Sequence, residues 1–164
     1  MTPKMGDVIA CTITNTRRAL NATLVASKAS LTQSDPVNGS VNPKAIPGAV
    51  VSYSITVQNT GPSTVDSNSV FIVDALPAEI AVGTAASPTF TQGTPASGLT
   101  LTVGTDVRYS NSATAPASFA ACTYTPAAAY DPAVRFVCIN PKGTMAGSTG
   151  TPPSFTVSFR SQIK

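Results

Sequence analysis

The chain has 164 residues, 42% of them hydrophobic but only 10% charged, with a formal net charge of +3 and no histidine. That length fits one domain, or one domain with an appended arm, and the charged fraction lies far below the roughly one quarter of an ordinary soluble domain. The missing imidazole removes Ser-His-Asp and Cys-His nucleophilic mechanisms and most zinc sites, so neither enzyme activity nor a cofactor is expected.

The distribution of the remaining residues excludes more. No basic cluster exceeds Arg17-Arg18, which argues against a nucleic-acid partner. No apolar run approaches the ~20 residues that cross a bilayer, so no membrane span is expected. Met1-Thr2-Pro3-Lys4-Met5-Gly6-Asp7 lacks the apolar region of a signal peptide, and the expectation is an exported protein cut from a longer precursor. The acidic residues Asp7, Asp35, Asp66, Asp74, Glu79, Asp106 and Asp131 are scattered. Asp66-Ser67-Asn68 comes nearest to a calcium-loop pattern but reads as a polar loop, and no metal site is assigned. Ser, Thr, Ala, Val and Pro replace the usual charges, a surface that can pack against copies of itself without repulsion.

In chain order, Gly6 to Thr16 comes first. Ile9, Cys11 and Ile13 alternate with Ala10, Thr12 and Thr14, the period of a strand with one buried face. Gly-Asp-Val-Ile-Ala-Cys-Thr-Ile-Thr-Asn-Thr also resembles the closing strand of transthyretin-like domains of bacterial surface proteins. Nothing ahead of it supplies such a domain, so residues 1–20 read as a strand arm and linker on a body spanning 21–164. A first body strand is expected within 22–34, anchored by Leu24, Val25 and Leu31, with Lys28 read as a solvated lysine. A loop dense in turn formers follows, Asp35 to Lys44. Asn21-Ala22-Thr23 and Asn38-Gly39-Ser40 match the glycan-acceptor pattern and read as ordinary loops.

Next comes the strongest signal. Val51, Tyr53, Ile55 and Val57 alternate with Ser52, Ser54, Thr56 and Gln58 between a Pro-Gly turn and Asn59-Thr60-Gly61-Pro62. This is a strand with one dry and one wet face, and Ser69 to Asp74 should form another, ending at Leu76-Pro77-Ala78. The run Pro47-Gly48…Tyr53-Ser54-Ile55-Thr56-Val57-Gln58-Asn59-Thr60-Gly61-Pro62-Ser63…Val73-Asp74-Ala75-Leu76-Pro77 resembles the bacterial surface-repeat family called domain of unknown function eleven. The resemblance implies an immunoglobulin-like sandwich on a bacterial cell surface, and it implies no chemistry.

Ala81 to Gly98 is expected to wander over the surface with one short strand near Thr89. Leu99, Leu101 and Val103 should form a hairpin with Val107 and Tyr109 through Gly104-Thr105-Asp106. Ala120, Cys122 and Tyr124 share one expected strand face, Val134, Phe136 and Cys138 another. The last strand carries Phe155, Val157, Phe159 and Ile163 inward. The whole reads as an all-β antiparallel sandwich of about seven to nine strands with an N-terminal strand arm.

Cys122 and Cys138 lie on neighbouring expected strands. An exported domain would oxidise them into a disulfide closing a loop of about 15 residues, worth about 3 kcal/mol; left reduced they would act as small hydrophobes. Cys11 is then the odd one, either buried or bonded to another chain.

An orphan amphipathic strand on a short linker can complete the sandwich of the next subunit. The expected function is a structural subunit of an extracellular filament or surface layer, with Val8, Ile9, Cys11 and Ile13 as donor-strand contacts. The partner is the chain itself, with other surface proteins or polysaccharide as further candidates. The alternative is the C-terminal domain of a multidomain adhesin, binding a ligand through Ala81 to Gly98 or Asn140 to Pro153.

Overall fold

The computed structural model of the chain describes residues 21–84 and 88–164. Val8, Ile9, Cys11 and Ile13, with the rest of the expected arm, lie outside the described residues. The described chain is an antiparallel β-sandwich. One sheet runs β1(Leu24–Ser34), β2(Val50–Asn59), β9(Ser154–Ile163), β4(Ile80–Gly83), β7(Tyr130–Asp131), with β5(Thr89–Gln92) also paired to β9. The other runs β3(Ile72–Ala75), β8(Phe136–Ile139), β6(Val107–Ser110).

The alternation of β2 and β9 builds the core. Ile55 faces Val157 and Val57 faces Phe155 across the ladder, and all four are buried against Val137 and Ile139 of the second sheet. Their outward neighbours are hydroxyls that pair with each other, Ser54 with Ser158 and Thr56 with Thr156, both at 2.8 Å. A hydroxyl ladder of this kind satisfies the wet face without charges, and it accounts for the low charged fraction.

Several expectations are corrected. β1 forms, but Leu24, Val25 and Leu31 anchor nothing: they are 42%, 48% and 66% exposed. The three-stranded sheet is too narrow to cover β1, and period-two alternation puts Leu24 and Val25 on opposite faces in any case. Ala81 to Gly98 is not all surface, since Ala81 and Val82 are buried in β4, which pairs with both β9 and β7.

The hairpin at Leu99 to Tyr109 does not exist. Leu99 is buried from a loop, Val103–Asp106 is a one-turn helix, and β6 pairs with β8 instead. The turn is closed from within: the amides of Thr105 and Asp106 donate to the Thr102 carbonyl, and the Thr102 amide donates to the Asp106 carboxylate at 2.8 Å. The strand expected at Ala120 to Tyr124 is replaced by a 3-10 turn over Phe119–Ala121, followed by a single bridge from Tyr124 to Tyr109. In β8 the inward residues are Val137 and Ile139 rather than Phe136 and Cys138. Cys138 instead faces outward, where Cys122 bonds to it with Cα atoms 6.4 Å apart, pinning the 111–126 segment over the small sheet.

Candidate functional site

β1 is an edge strand of eleven residues, antiparallel to β2 in the register Leu24↔Asn59 through Thr32↔Val51. Among the described residues nothing pairs with its far side. The Thr60 amide donates to the Thr23 carbonyl at 2.8 Å, so Thr23 begins the set that points toward β2. Antiparallel ladders alternate, which places Val25, Ser27, Ala29 and Leu31 in that set. Leu24, Ala26, Lys28, Ser30 and Thr32 therefore aim their N–H and C=O groups at the open side. The same residues carry their side chains on the inner face, since Lys28 stands opposite buried Ile55 and Ala26 opposite buried Val57.

The other strands at sheet margins offer no comparable run: β3, β5 and β6 have four residues each and β7 has two. Exposed apolar bulk also gathers here. Among the described residues the large hydrophobics standing in solvent are Leu24, Val25 and Leu31 on β1, and Val37 and Val41 in the turn after it.

The edge is held rigid at three points. At its start, buried Asn59 accepts from the amides of Thr23 and Gly61, both at 3.1 Å, and donates to the carbonyls of Ser63 and Ala146 at 2.8 and 2.9 Å. Gly61 is required beside it, because a Cβ there would collide with the Asn21 carbonyl oxygen. This is the physical content of the Asn-Thr-Gly-Pro motif: it seats the entry of β1 on the exit of β2.

In the middle, Lys28 is not a solvated lysine. Its Nζ donates to both Asp74 oxygens at 2.7 Å and lies 4.5 Å from the centre of the Tyr53 ring, tying β1 to β3 across the sandwich. Burial, and then the Asp74 charge, raise the Tyr53 phenol above its ordinary value.

At its end, the Asp35 carboxylate accepts from the amides of Val37, Asn38 and Lys44 at 2.7, 2.6 and 2.6 Å. Those bonds, that of Asn38 foremost, lower its pKa to about 2 and fold the following turn tightly.

The other buried carboxylates also serve the fold. Asp131 accepts from the amides of Ala127 and Ala133, each at 2.8 Å, and from the Tyr124 hydroxyl at 3.0 Å, bonds that lower its pKa. Among the described residues no three His, Cys, Asp or Glu side chains gather to hold a metal, and no helix is long and apolar enough to cross a membrane. Asn68 of the calcium-like triplet accepts from the Gly143 amide at 2.8 Å through its side chain, locking two loops together.

Clefts open elsewhere among the described residues. One of about 510 Å³ lies between Arg108, Tyr109, Cys122 and Tyr124. Another, of about 430 Å³, lies between Leu76, Ile80, Val134 and Lys164. None of the described residues of the ligand loops expected of an adhesin, 81–98 and 140–153, lines either cleft.

Comparison of the chain with protein-family models, with curated proteins and with solved structures found no match.

Proposed function

We propose that this chain is a structural subunit of a bacterial extracellular filament or surface layer, in which the N-terminal strand of one copy is added to the open edge of β1 in the next. The observation that supports this reading most is the edge itself: eleven residues long, unpaired among the described residues, and flanked by the exposed apolar side chains. An open row of backbone donors and acceptors is a template for an incoming strand. Gly6 to Thr16 is a segment of matching length and strand period. Donation from each copy to the next is head-to-tail, and a head-to-tail contact that does not close on itself propagates as a filament. A surface of paired hydroxyls lets the copies approach without charge repulsion.

The test is the size distribution of the purified chain beside a version lacking residues 1–16, by light scattering and electron microscopy. Fibres from the full chain and monomers from the truncated one are expected. Monomers from both would overturn the proposal and leave the adhesin-domain reading in its place. Fibres from both would remove the N-terminal strand from the mechanism.

A further inference from the structure

We infer that the donated strand enters antiparallel to β1 in one register, with Ile9 opposite Lys28, Cys11 opposite Ala26 and Ile13 opposite Leu24 of the next copy; this rests on the strand-donation reading above. Three features of the edge select it. The open backbone groups belong to the even-numbered residues from Leu24 to Thr32, and these also face the inner side. An incoming strand that bonds through its odd-numbered residues therefore sends Ile9, Cys11 and Ile13 inward as well. Pairing through Val8, Ala10 and Thr12 instead would turn Ile9, Cys11 and Ile13 to the outer face.

Apolar matching then sets the position along the strand. On the inner face Leu24, Ala26 and the methylene stem of Lys28 form a continuous exposed row, and the inferred register lays one donor side chain over each. A shift of two residues one way carries Ile13 past the start of β1, opposite Ala22. A shift the other way sets polar Asn15 opposite Leu24 and Ile9 opposite Ser30. On the outer face the same register brings Val8 opposite Ala29, diagonal to exposed Leu31, and Thr12 opposite Val25.

Charge is the third feature. Lys28 is the sole charge within β1 and is already paired with Asp74. The donor stretch Val8 to Thr16 carries no charge at all, so no unpaired ion is buried. Asp7 falls opposite Ser30, a diagonal neighbour of Lys28 within reach of its long side chain. For the competing occupant, β1 of a second copy, symmetric pairing about Lys28 sets two ammonium groups directly opposite each other, a like-charge contact that disfavours that register.

Cys11 makes the register measurable. Hydrogen-bonded antiparallel partners have Cα atoms about 5.5 Å apart, inside the about 4.4–6.8 Å that a disulfide spans. Ala26→Cys and Ser30→Cys, both at exposed positions, are prepared separately with Cys11 in place, allowed to assemble, oxidised mildly and run on non-reducing gels. Ala26→Cys is expected to give a ladder of covalent multimers that collapses on reduction and disappears when Cys11→Ser is added. Ser30→Cys is expected to give none. A ladder from Ser30→Cys, or from neither variant, in fibres that still require residues 1–16 overturns the register while leaving strand donation standing. Fibres that form without residues 1–16 overturn both.

Discussion

Asp74 is held nearly dry, its side chain 10% exposed, and its charge is tolerated because Lys28 reaches it from the opposite sheet. Removing the ammonium strands a carboxylate, whereas removing both charges does not. Lys28→Met is expected to lower stability by roughly 1–3 kcal/mol, read from the urea midpoint at neutral pH, and a further Asp74→Leu to recover much of the loss. Asn59 works at the same scale with four bonds at one buried amide. Asn59→Ala should cost at least about 2 kcal/mol, since it leaves several enclosed backbone groups unpaired.

Asp35 sets a pH dependence of known sign. Its pKa falls from the ordinary 3.8 to about 2 on folding, so its contribution is whole above 3.8 and is lost as the pH drops through about 2. The midpoint gap between the chain and an Asp35→Asn variant should be flat around neutrality and narrow over that acid window. A gap unchanged down to the lowest pH would contradict the carboxylate's role.

At the scale of elements, the disulfide and one loop residue hold what the ladders do not. Cys122 and Cys138 are 16 residues apart, and closing a loop of that length is worth about 3 kcal/mol in the chain-entropy model. Reduction, or the double change to Ser, should lower the unfolding midpoint accordingly and free the 111–126 segment to faster amide exchange. Leu99, 1% exposed, fills the core from outside any strand, and Leu99→Ala is expected to cost about 2–5 kcal/mol.

The same elements show how far the residues could be read in advance. β2 and β9 were legible because each has a core on one side and water on the other, so burial writes itself into the alternation. β4 was not: Ile80, Ala81, Val82 and Gly83 are all buried, and a short strand enclosed on both faces has no period to read. The Leu99 alternation was real but misleading. It seats Leu99 in the core and leaves Leu101 packed against it while the backbone turns through Thr102 and Asp106. β1 was legible as a strand, yet its exposure was not, since sheet width is a tertiary property. The edge could still have been suspected from Lys28, an inward charge where a central strand would carry an apolar residue.

At the scale of the whole molecule, the sandwich is lopsided. Its larger sheet overhangs the smaller one on the β1 side, with the Lys28–Asp74 pair spanning the gap, and the apolar bulk in solvent gathers on that overhang and its turn. In the proposed assembly this side takes a strand from another copy, and the ladder supplies a way to block it. Ala26 directs its N–H away from β2, so Ala26→Pro removes a donor from the open edge while leaving the β1–β2 bonds intact. Ser27 directs its N–H toward β2, so Ser27→Pro should damage the monomer itself. The most direct measurement is therefore electron microscopy and sedimentation of Ala26→Pro beside the unaltered chain, with the urea midpoint of each as a check on folding. Strand donation at this edge predicts a folded Ala26→Pro chain that stays monomeric under conditions where the unaltered chain grows fibres. Fibres of the same length from the folded Ala26→Pro chain would contradict it.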